Sequence, residues 1–567
     1  MPTLLDRIAA RIGLLHAGRL VSKFRGALAD VSGAQQRTLD RLLGVVRGSE
    51  QARRFGLERV RTVDDLRRAL PVADYEAYRP LVDRVCDGDV AAMFRPGVRL
   101  RMFATSSGTT ALPKRVPVTA EFEADYRRGW NVFGMKVLQD HPDAILRHIL
   151  QSTSRYDVGR TPSGVPYGAI TGLLARTQKR IVRHYYVSTP DTALLDDPQA
   201  RHYVLMRRAI VRDLGFAVTA NPATLINMAR LASEHAETLI RDVHDGDLAE
   251  RFVPDRELRR RLCRGLRPDP DRAAALARLR ELHGVLRPRD YWRVSFLACW
   301  TGGSMGNYLR RLREWWGELP VRDIGLLASE GRVSVPMEDD TPAGVLDVTS
   351  AVFEFIPAEE WGQADARTVL PRDVEFGRRY VVVLSNTTGL LRYRLDDVVA
   401  VRGWLGESPL VEFLHRAGRV SSVAGEKLTE NQVVAAFRAT CGELGCAEMD
   451  FLMAPCWGDP PYYRVNTARP LPPDALKRLD ENLCALNEEY DARRKTSRLG
   501  PLTARVVEPA RMVEMDRRLA SARRSTAEQF KRPFLVTEVG GDDAMLDLRG
   551  NAEPGGGGAD GASGGQP

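Results

Sequence analysis

Hydrophobic positions in the first hundred residues recur at helical spacing. Leu4, Leu5, Ile8, Ile12 and Leu15 share one face, with Asp6, Arg7 and Arg11 between them, which predicts an amphipathic helix docked on the body of the protein. Gln36 to Val46 and Val63 to Leu70 repeat the pattern. Near residue 100 the period shortens. Val98 to Ala104 reads as a strand, followed by the polar loop Thr105-Ser106-Ser107-Gly108-Thr109-Thr110 and then Lys114. Thr119 is a good N-cap for a helix running to about Leu138, because its hydroxyl can accept from an otherwise orphaned amide. From there helices and short apolar strands alternate to about residue 400, which predicts an α/β fold. Val381 to Leu384 is a buried-strand candidate, and Gly389 to Arg394 follows it after a Thr-Thr-Gly turn. A smaller α/β segment covers about 415–540, around a helix predicted for Pro473 to Ala492. Gly550 to Pro567 is Gly-rich and nearly free of apolar residues, which predicts a disordered tail.

Composition narrows the classes. The 567 residues, 44% of them hydrophobic, suffice for two or three domains with proper cores. No window approaches the ~18–20 apolar residues of a membrane helix, and Met1 to Leu20 has no uninterrupted apolar run of the secretory type. The seven cysteines (Cys86, Cys263, Cys299, Cys441, Cys446, Cys456 and Cys484) form no CxxC pair, so unpaired thiols in a reducing cytoplasm are expected. The nine histidines show no HExxH spacing, which leaves zinc catalysis unsupported. The net charge of +9 comes from 83 basic and 74 acidic residues, interspersed as in Asp64-Asp65-Leu66-Arg67-Arg68. No nucleic-acid motif accompanies them, so a solvated surface is expected rather than a nucleic-acid site. Only eight of the basic residues are lysines, and that scarcity makes each lysine worth locating.

Five segments can carry chemistry. The loop from Thr105 to Lys114 offers hydroxyls, backbone N–H groups and a point charge to phosphate oxygens. It is not a Walker A loop, since no Gly precedes Lys114 and no Ser or Thr follows it. Cys299-Trp300-Thr301-Gly302-Gly303-Ser304 is a Gly-rich turn after an apolar run. Gly325 to Gly331 sets Glu330 at the end of a short apolar strand. Leu391 to Asp397 sets carboxylates beside two arginines, and Gln529-Phe530-Lys531-Arg532-Pro533 puts an isolated lysine in a loop. Taken singly, each has a plain structural alternative. Glu330 then belongs to a helix N-terminus, Asp397 pairs with Arg394, and Lys531 is merely exposed.

Their order is more informative than any one of them. Ser106-Ser107-Gly108-Thr109-Thr110-x-x-Pro113-Lys114, Ala328-Ser329-Glu330, Tyr393-Arg394-x-x-Asp397, Gly418-Arg419 and a late lysine resemble the adenylate-forming ligase superfamily. More narrowly, the chain is similar to the Gretchen Hagen (auxin-responsive) family of acyl-acid amido synthetases, as a bacterial-type member. That likeness rests on Cys299 to Ser304, Phe353-Glu354-Phe355-Ile356-Pro357, Gly389 to Leu395, Gly425-Glu426-Lys427-Leu428-Thr429-Glu430 and Gln529-Phe530-Lys531.

The resemblance implies a large N-terminal α/β domain (1–414), a small mobile C-terminal α/β domain (415–545) and a tail (546–567). It implies a two-step reaction in which a carboxylic acid attacks the α-phosphate of ATP, and an amine, an amino acid in the family's style, then takes the acyl group as an amide. Ser106, Ser107, Gly108, Thr109, Thr110 and Lys114 would hold the β- and γ-phosphates. Leu326, Leu327, Ala328 and Ser329 would line the adenine and α-phosphate, Glu330 would bind Mg²⁺, and Asp397 would accept the ribose hydroxyls. Arg419 would mark the hinge. Lys531 would bridge the acid and the α-phosphate, with Lys427 near the nucleotide or second-step site. Tyr167, Gly302 and Gly303 are the acyl-pocket candidates. Three departures stand out: Ala111 and Asp396 where small or Gly residues are usual, and Leu326 where an aromatic commonly packs on adenine. The rival products on the same core are a thioester of coenzyme A, or none in a non-catalytic adenylate-binding homologue. Partners are small acids and amines, without nucleic acid or a membrane span; the oligomeric state is not legible.

Overall fold

The computed structural model describes residues 4–106, 114–363, 366–418, 420–446, 449–522 and 533–548. Gly550 to Pro567 lies outside them, and of the 546–567 tail only residues 546–548 are described, with Leu546 buried. The chain divides into two compact units, one of Met1–Gly418 with Ala424–Lys427 and Lys495–Arg498, the other of Arg419–Val423, Leu428–Arg494 and Leu499–Pro567.

In the first unit the helix Leu4–Leu28 leads into the helix Val31–Val46. Of the predicted docked face, only the Ile12 and Leu15 side chains are described, and neither is docked. Ala17, Val21, Phe24 and Leu28 are buried, whereas Ile12 and Leu15 are 62% and 67% exposed. The helix carries two apolar stripes on roughly opposite sides, and the core takes the C-terminal one. Asp30 caps the second helix at the Gly33 amide (2.8 Å), and Gln35 ties it to the body by donating to the carbonyls of Val348 and Ala351.

Strands Leu100–Ser106 and Lys114–Thr119 form an antiparallel hairpin. Pro166–Gly168 adds to it in parallel and Gly159–Arg160 closes this four-stranded sheet. Thr119 caps the helix Ala120–Asp140 at the Phe122 amide (3.0 Å). A second sheet orders His148–Gln151, Leu214–Val218, Phe296–Ala298 and Val321–Arg322 in parallel. Its crossover segments include the helices Pro198–Ala209 and Pro222–Glu234, which share a core with the strands through Leu150, Leu205, Leu225 and Leu297.

Helix–strand alternation ends at Trp316 rather than near residue 400. A six-stranded antiparallel sheet follows in the order Ser334–Val335, Ala343–Leu346, Ser408–Arg416, Tyr393–Leu405, Arg379–Ser385 and Val352–Pro357. Several of its strands are buried along almost their whole length, so they read as continuous apolar runs that periodicity cannot tell from parallel strands.

The second unit is built on the sheet Phe451–Cys456, Tyr462–Thr467 and Thr503–Val506, with the helices Glu430–Leu444, Ala475–Leu486 and Pro509–Ala522. The single helix predicted for Pro473 to Ala492 is two, Ala475–Leu486 and Glu488–Lys495. Asn487 breaks it by leaving helical geometry and capping the Tyr490 amide (2.8 Å), the competition with helix that makes Asn a terminator. Among the described residues no helix is long and apolar enough to cross a membrane.

Candidate active site

The phosphate-loop candidates Ser107, Gly108, Thr109 and Thr110 lie outside the described residues, as do Arg419 and Lys531. The frame of the loop is described. The Ser106 backbone pairs with Lys114 at the open end of the 100–119 hairpin. The Lys114 side chain runs inward and is buried. Its Nζ donates to the Tyr393 hydroxyl (3.4 Å) and lies 5.4 Å from the centre of the Tyr75 ring. Burial pushes the Lys114 ammonium below its ordinary pKa, against the pull of Glu330.

Glu330 does not start a helix. It occupies the turn between two-residue strands, Leu327–Ala328 and Gly331–Arg332, and is only 4% exposed. The Tyr393 hydroxyl donates to its Oε1 (3.0 Å), and the Asn386 amide donates to its carbonyl (2.6 Å). Lys114, Tyr393 and Glu330 thus form one buried hydrogen-bonded chain. Burial and the neighbouring Glu330 hold the Tyr393 phenol well above its ordinary pKa, so it stays a donor. Among the described residues nothing donates to Glu330 Oε2, and no three His, Cys, Asp or Glu side chains gather to hold a metal. A lone carboxylate with a free oxygen fits Mg²⁺, which takes one or two carboxylates and completes its shell with water and phosphate oxygens.

Leu326, Leu327, Ala328 and Ser329 are half-buried on the same hairpin. Gly325 starts it at φ 87°, where a Cβ would sit 2.3 Å from the Ser334 carbonyl oxygen, so only glycine fits. The Leu326 amide donates to Ser334 Oγ (3.0 Å), and Ser329 Oγ donates to the Thr105 carbonyl (3.4 Å), linking this turn to the strand Leu100–Ser106.

Asp397 pairs with Arg416, not with Arg394. The two face each other across adjacent strands with Nη1 3.4 Å from Oδ1. Asp397 is 7% exposed, and burial raises its pKa although Arg416 and Lys427 pull it down. Arg394 instead bonds Asp396 (2.6 Å), which also accepts from Trp361 Nε1 (3.0 Å). Asp396 has φ 63°, a left-handed conformation natural to glycine. The charge this departure adds beside Asp397 is therefore answered locally by Arg394. Lys427 is half-buried, in a segment held to the first unit by Asn221 Nδ2 donating to the Ala424 carbonyl (2.9 Å). Its charge acts on both Asp397 and Lys114.

Gly302 and Gly303 press on the strand Ser408–Arg416. A Cβ at Gly303 would lie 2.7 Å from the Leu414 carbonyl oxygen. The preceding Thr301 donates its amide (2.6 Å) and hydroxyl (2.8 Å) to Asp323, whose other oxygen accepts from the Gly325 amide (2.6 Å). Asp323 therefore staples the Gly-rich turn to the Leu326 loop, and burial pushes its carboxyl up to about 6. Tyr167 sits in the first sheet opposite Phe103, beneath the Arg115 guanidinium at 5.1 Å.

Sequence reasoning missed Arg416, Asp323 and the bridging role of Tyr393. Only the last carried a signal, since Tyr393 stands inside the Asp397 motif.

Comparison with known proteins bears on what this constellation belongs to. The GH3 family N-terminal domain matches residues 20–321, more than half of the chain. The chain belongs to the GH3 family. The central domain of the GH3 family matches residues 344–416, which hold Tyr393, Asp397 and Arg416, and its C-terminal domain matches 431–539. Relatives include an indole-3-acetic acid-amido synthetase of Oryza sativa subsp. indica, GH3.8, 27% identical over 90% of this chain and 89% of the relative. The jasmonoyl–L-amino acid synthetase JAR6 of Nicotiana attenuata is 26% identical over 86% of this chain and 88% of its own length. These are plant proteins and do not support a bacterial-type member in particular. The solved AtGH3.15 acyl acid amido synthetase, bound to 2,4-DB, superposes with a TM-score of 0.65 at 19% identity, over 94% of this chain and 96% of that one. A 2-hydroxyisobutyryl-CoA ligase superposes at 0.50 and 12% identity, over 91% of each. The GH3 chain therefore has the α/β fold of the adenylate-forming ligases.

Proposed function

We propose that this GH3-family chain is an ATP-dependent acid–amine ligase: it activates a carboxylic acid as the acyl-adenylate, releasing pyrophosphate, and passes the acyl group to an amino acid as an amide. The observation that carries the reading is the buried Lys114–Tyr393–Glu330 chain beside the Asp397–Arg416 pair. Carboxylates are poor electrophiles and phosphate oxygens repel them, so such an enzyme must neutralise charge and align the attack.

In this reading Lys114 meets the β- and γ-phosphates, together with Ser106, Ser107, Gly108, Thr109 and Thr110. Leu326 to Ser329 line the adenine and α-phosphate. Asp397, an acceptor-only carboxylate, takes the ribose hydroxyls. Glu330 holds Mg²⁺, which screens phosphate charge when bound. Gly302, Gly303 and Tyr167 border the acid, and Lys427 serves the nucleotide or the second step. Arg419 marks the hinge into residues 415–545. Lys531 belongs to that smaller domain and orients the acid on the α-phosphate, so its approach and withdrawal separate the two steps. Lys531→Ala is then expected to abolish adenylation while sparing amide formation from a synthetic acyl-adenylate. No disulfide joins any of the seven cysteines among the described residues, which fits a reducing cytoplasmic setting.

Carboxylate-dependent pyrophosphate exchange tests the reading. An acid panel trapped with hydroxylamine identifies the adenylated acid, and product mass with amino acids or coenzyme A separates amide from thioester. Absence of exchange with every acid would favour a non-catalytic adenylate-binding homologue.

A further inference from the structure

We propose that Tyr393 is a positioning residue of this site: its hydroxyl, donating to Glu330 and accepting from Lys114, spaces carboxylate and ammonium so that both serve the phosphates of one nucleotide. The inference rests on the ligase reading above.

The three side chains come from separate elements. Lys114 opens the second strand of the first sheet, Glu330 sits in the tight turn after Ala328, and Tyr393 begins the long strand of the six-stranded sheet. Opposite charges in a buried site attract strongly, and nothing but the phenol stands between this pair in the bonded chain. Without it the ammonium and carboxylate are free to close on each other, and each would be lost to its ligand. A neutral hydroxyl that bonds both satisfies them without cancelling either.

The spacer must be rigid to do this, and the backbone around Tyr393 is clamped on both sides. Arg392 donates its guanidinium to both oxygens of Glu354 (2.8 and 2.7 Å) and its amide to Ser385 Oγ (2.7 Å). It holds φ 47°, a conformation costly for a non-glycine residue. The Ala73 amide donates to the Arg392 carbonyl (3.1 Å), and the Arg394 amide donates to the Ala73 carbonyl (2.8 Å). The Tyr393 ring meets Tyr78 edge-on at 6.4 Å, and the Tyr78 hydroxyl donates to the Leu391 carbonyl. These contacts give the Arg392–Glu354 pair, a motif feature with no direct part in the chemistry, a role in aiming the phenol.

Tyr393→Phe removes the hydroxyl and keeps the ring. Titration calorimetry on the full chain should show affinity for ATP in the presence of Mg²⁺ falling at least tenfold, with affinity for AMP, which lacks the outer phosphates, changing less than twofold. The kcat of pyrophosphate exchange should fall by about 10²-fold. Tyr393→Met, without a ring, repeats the test if the Phe variant does not fold. Equal losses for ATP and AMP, or no loss, overturn the inference while native exchange leaves the ligase reading standing. A native chain that binds no ATP overturns both.

Discussion

Two buried carboxylates, Asp323 and Asp397, meet opposite fates. Both are buried, and burial raises both above the ordinary aspartate range. Asp323 is surrounded by donors of the main chain and a hydroxyl, from Thr301 and Gly325. Its lone pairs are spent inside the protein, holding two Gly-rich loops together. Asp397 faces cations instead, Arg416 at 3.4 Å and the charge of Lys427. Among the described residues that one long side-chain contact leaves acceptor capacity on Asp397. Burial alone does not distinguish a structural carboxylate from a binding one; the kind of partner does.

The comparison breaks most sharply at Asp397. Asp397→Ala is expected to lower kcat/KM for ATP by about 10²-fold or more, since hydrogen bonds to a charged acceptor are worth ~1.5–3 kcal/mol each, while the thermal midpoint moves little. Loss of folding in step with activity would make Asp397 a second staple. Asp323→Ala should do the reverse. It orphans three donors and is expected to cost about 3 kcal/mol of stability by urea unfolding, with the activity of the folded fraction changing less than Asp397→Ala changes it.

The pH dependence sharpens the same contrast. The Asp323 carboxyl binds its proton more tightly folded than unfolded, so it favours folding at acid pH. That contribution is lost as pH rises from about 4 through about 6, on the order of 3 kcal/mol. Urea unfolding at pH 4 and pH 7 should show this slope in the native chain and its flattening in Asp323→Asn. The smallest effect is expected at Asp396. Asp396→Gly relieves a left-handed residue worth ~1 kcal/mol but gives up the bonds to Arg394 and Trp361. Stability should change by less than about 1 kcal/mol, and KM for ATP by less than threefold, by urea titration and exchange kinetics.

Much of the local structure was legible beforehand. Thr119 caps its helix as its side chain predicts, and the strand expected over Val98 to Ala104 is found as Leu100–Ser106, although its hairpin partner Lys114–Thr119 was not expected. Of the six-stranded sheet only Val381 to Leu384 was legible, within the strand Arg379–Ser385; the antiparallel order was not, because strands buried on both faces lose their alternation. Nor was the docked face of the first helix, since two apolar stripes compete and only the presence of the core decides between them. Asp396 adds a charge beside Asp397; its answer, Arg394, was two residues away but lay on a bonded path only the folded backbone defines.

What the sequence by itself determined is the family, the order of its motifs and the chemical types placed in them: lysines scarce enough to notice, carboxylates beside arginines, glycines at loops. Those are properties of single residues and short spacings, which local sterics and propensity write directly into the chain. The tertiary structure alone decided which charges meet. Arg416 reaches Asp397 through strand register, and Tyr393 joins Lys114 to Glu330 across 279 and 63 residues of chain. Such pairings depend on long-range packing, where one residue of slip in a strand turns every side chain to the other face.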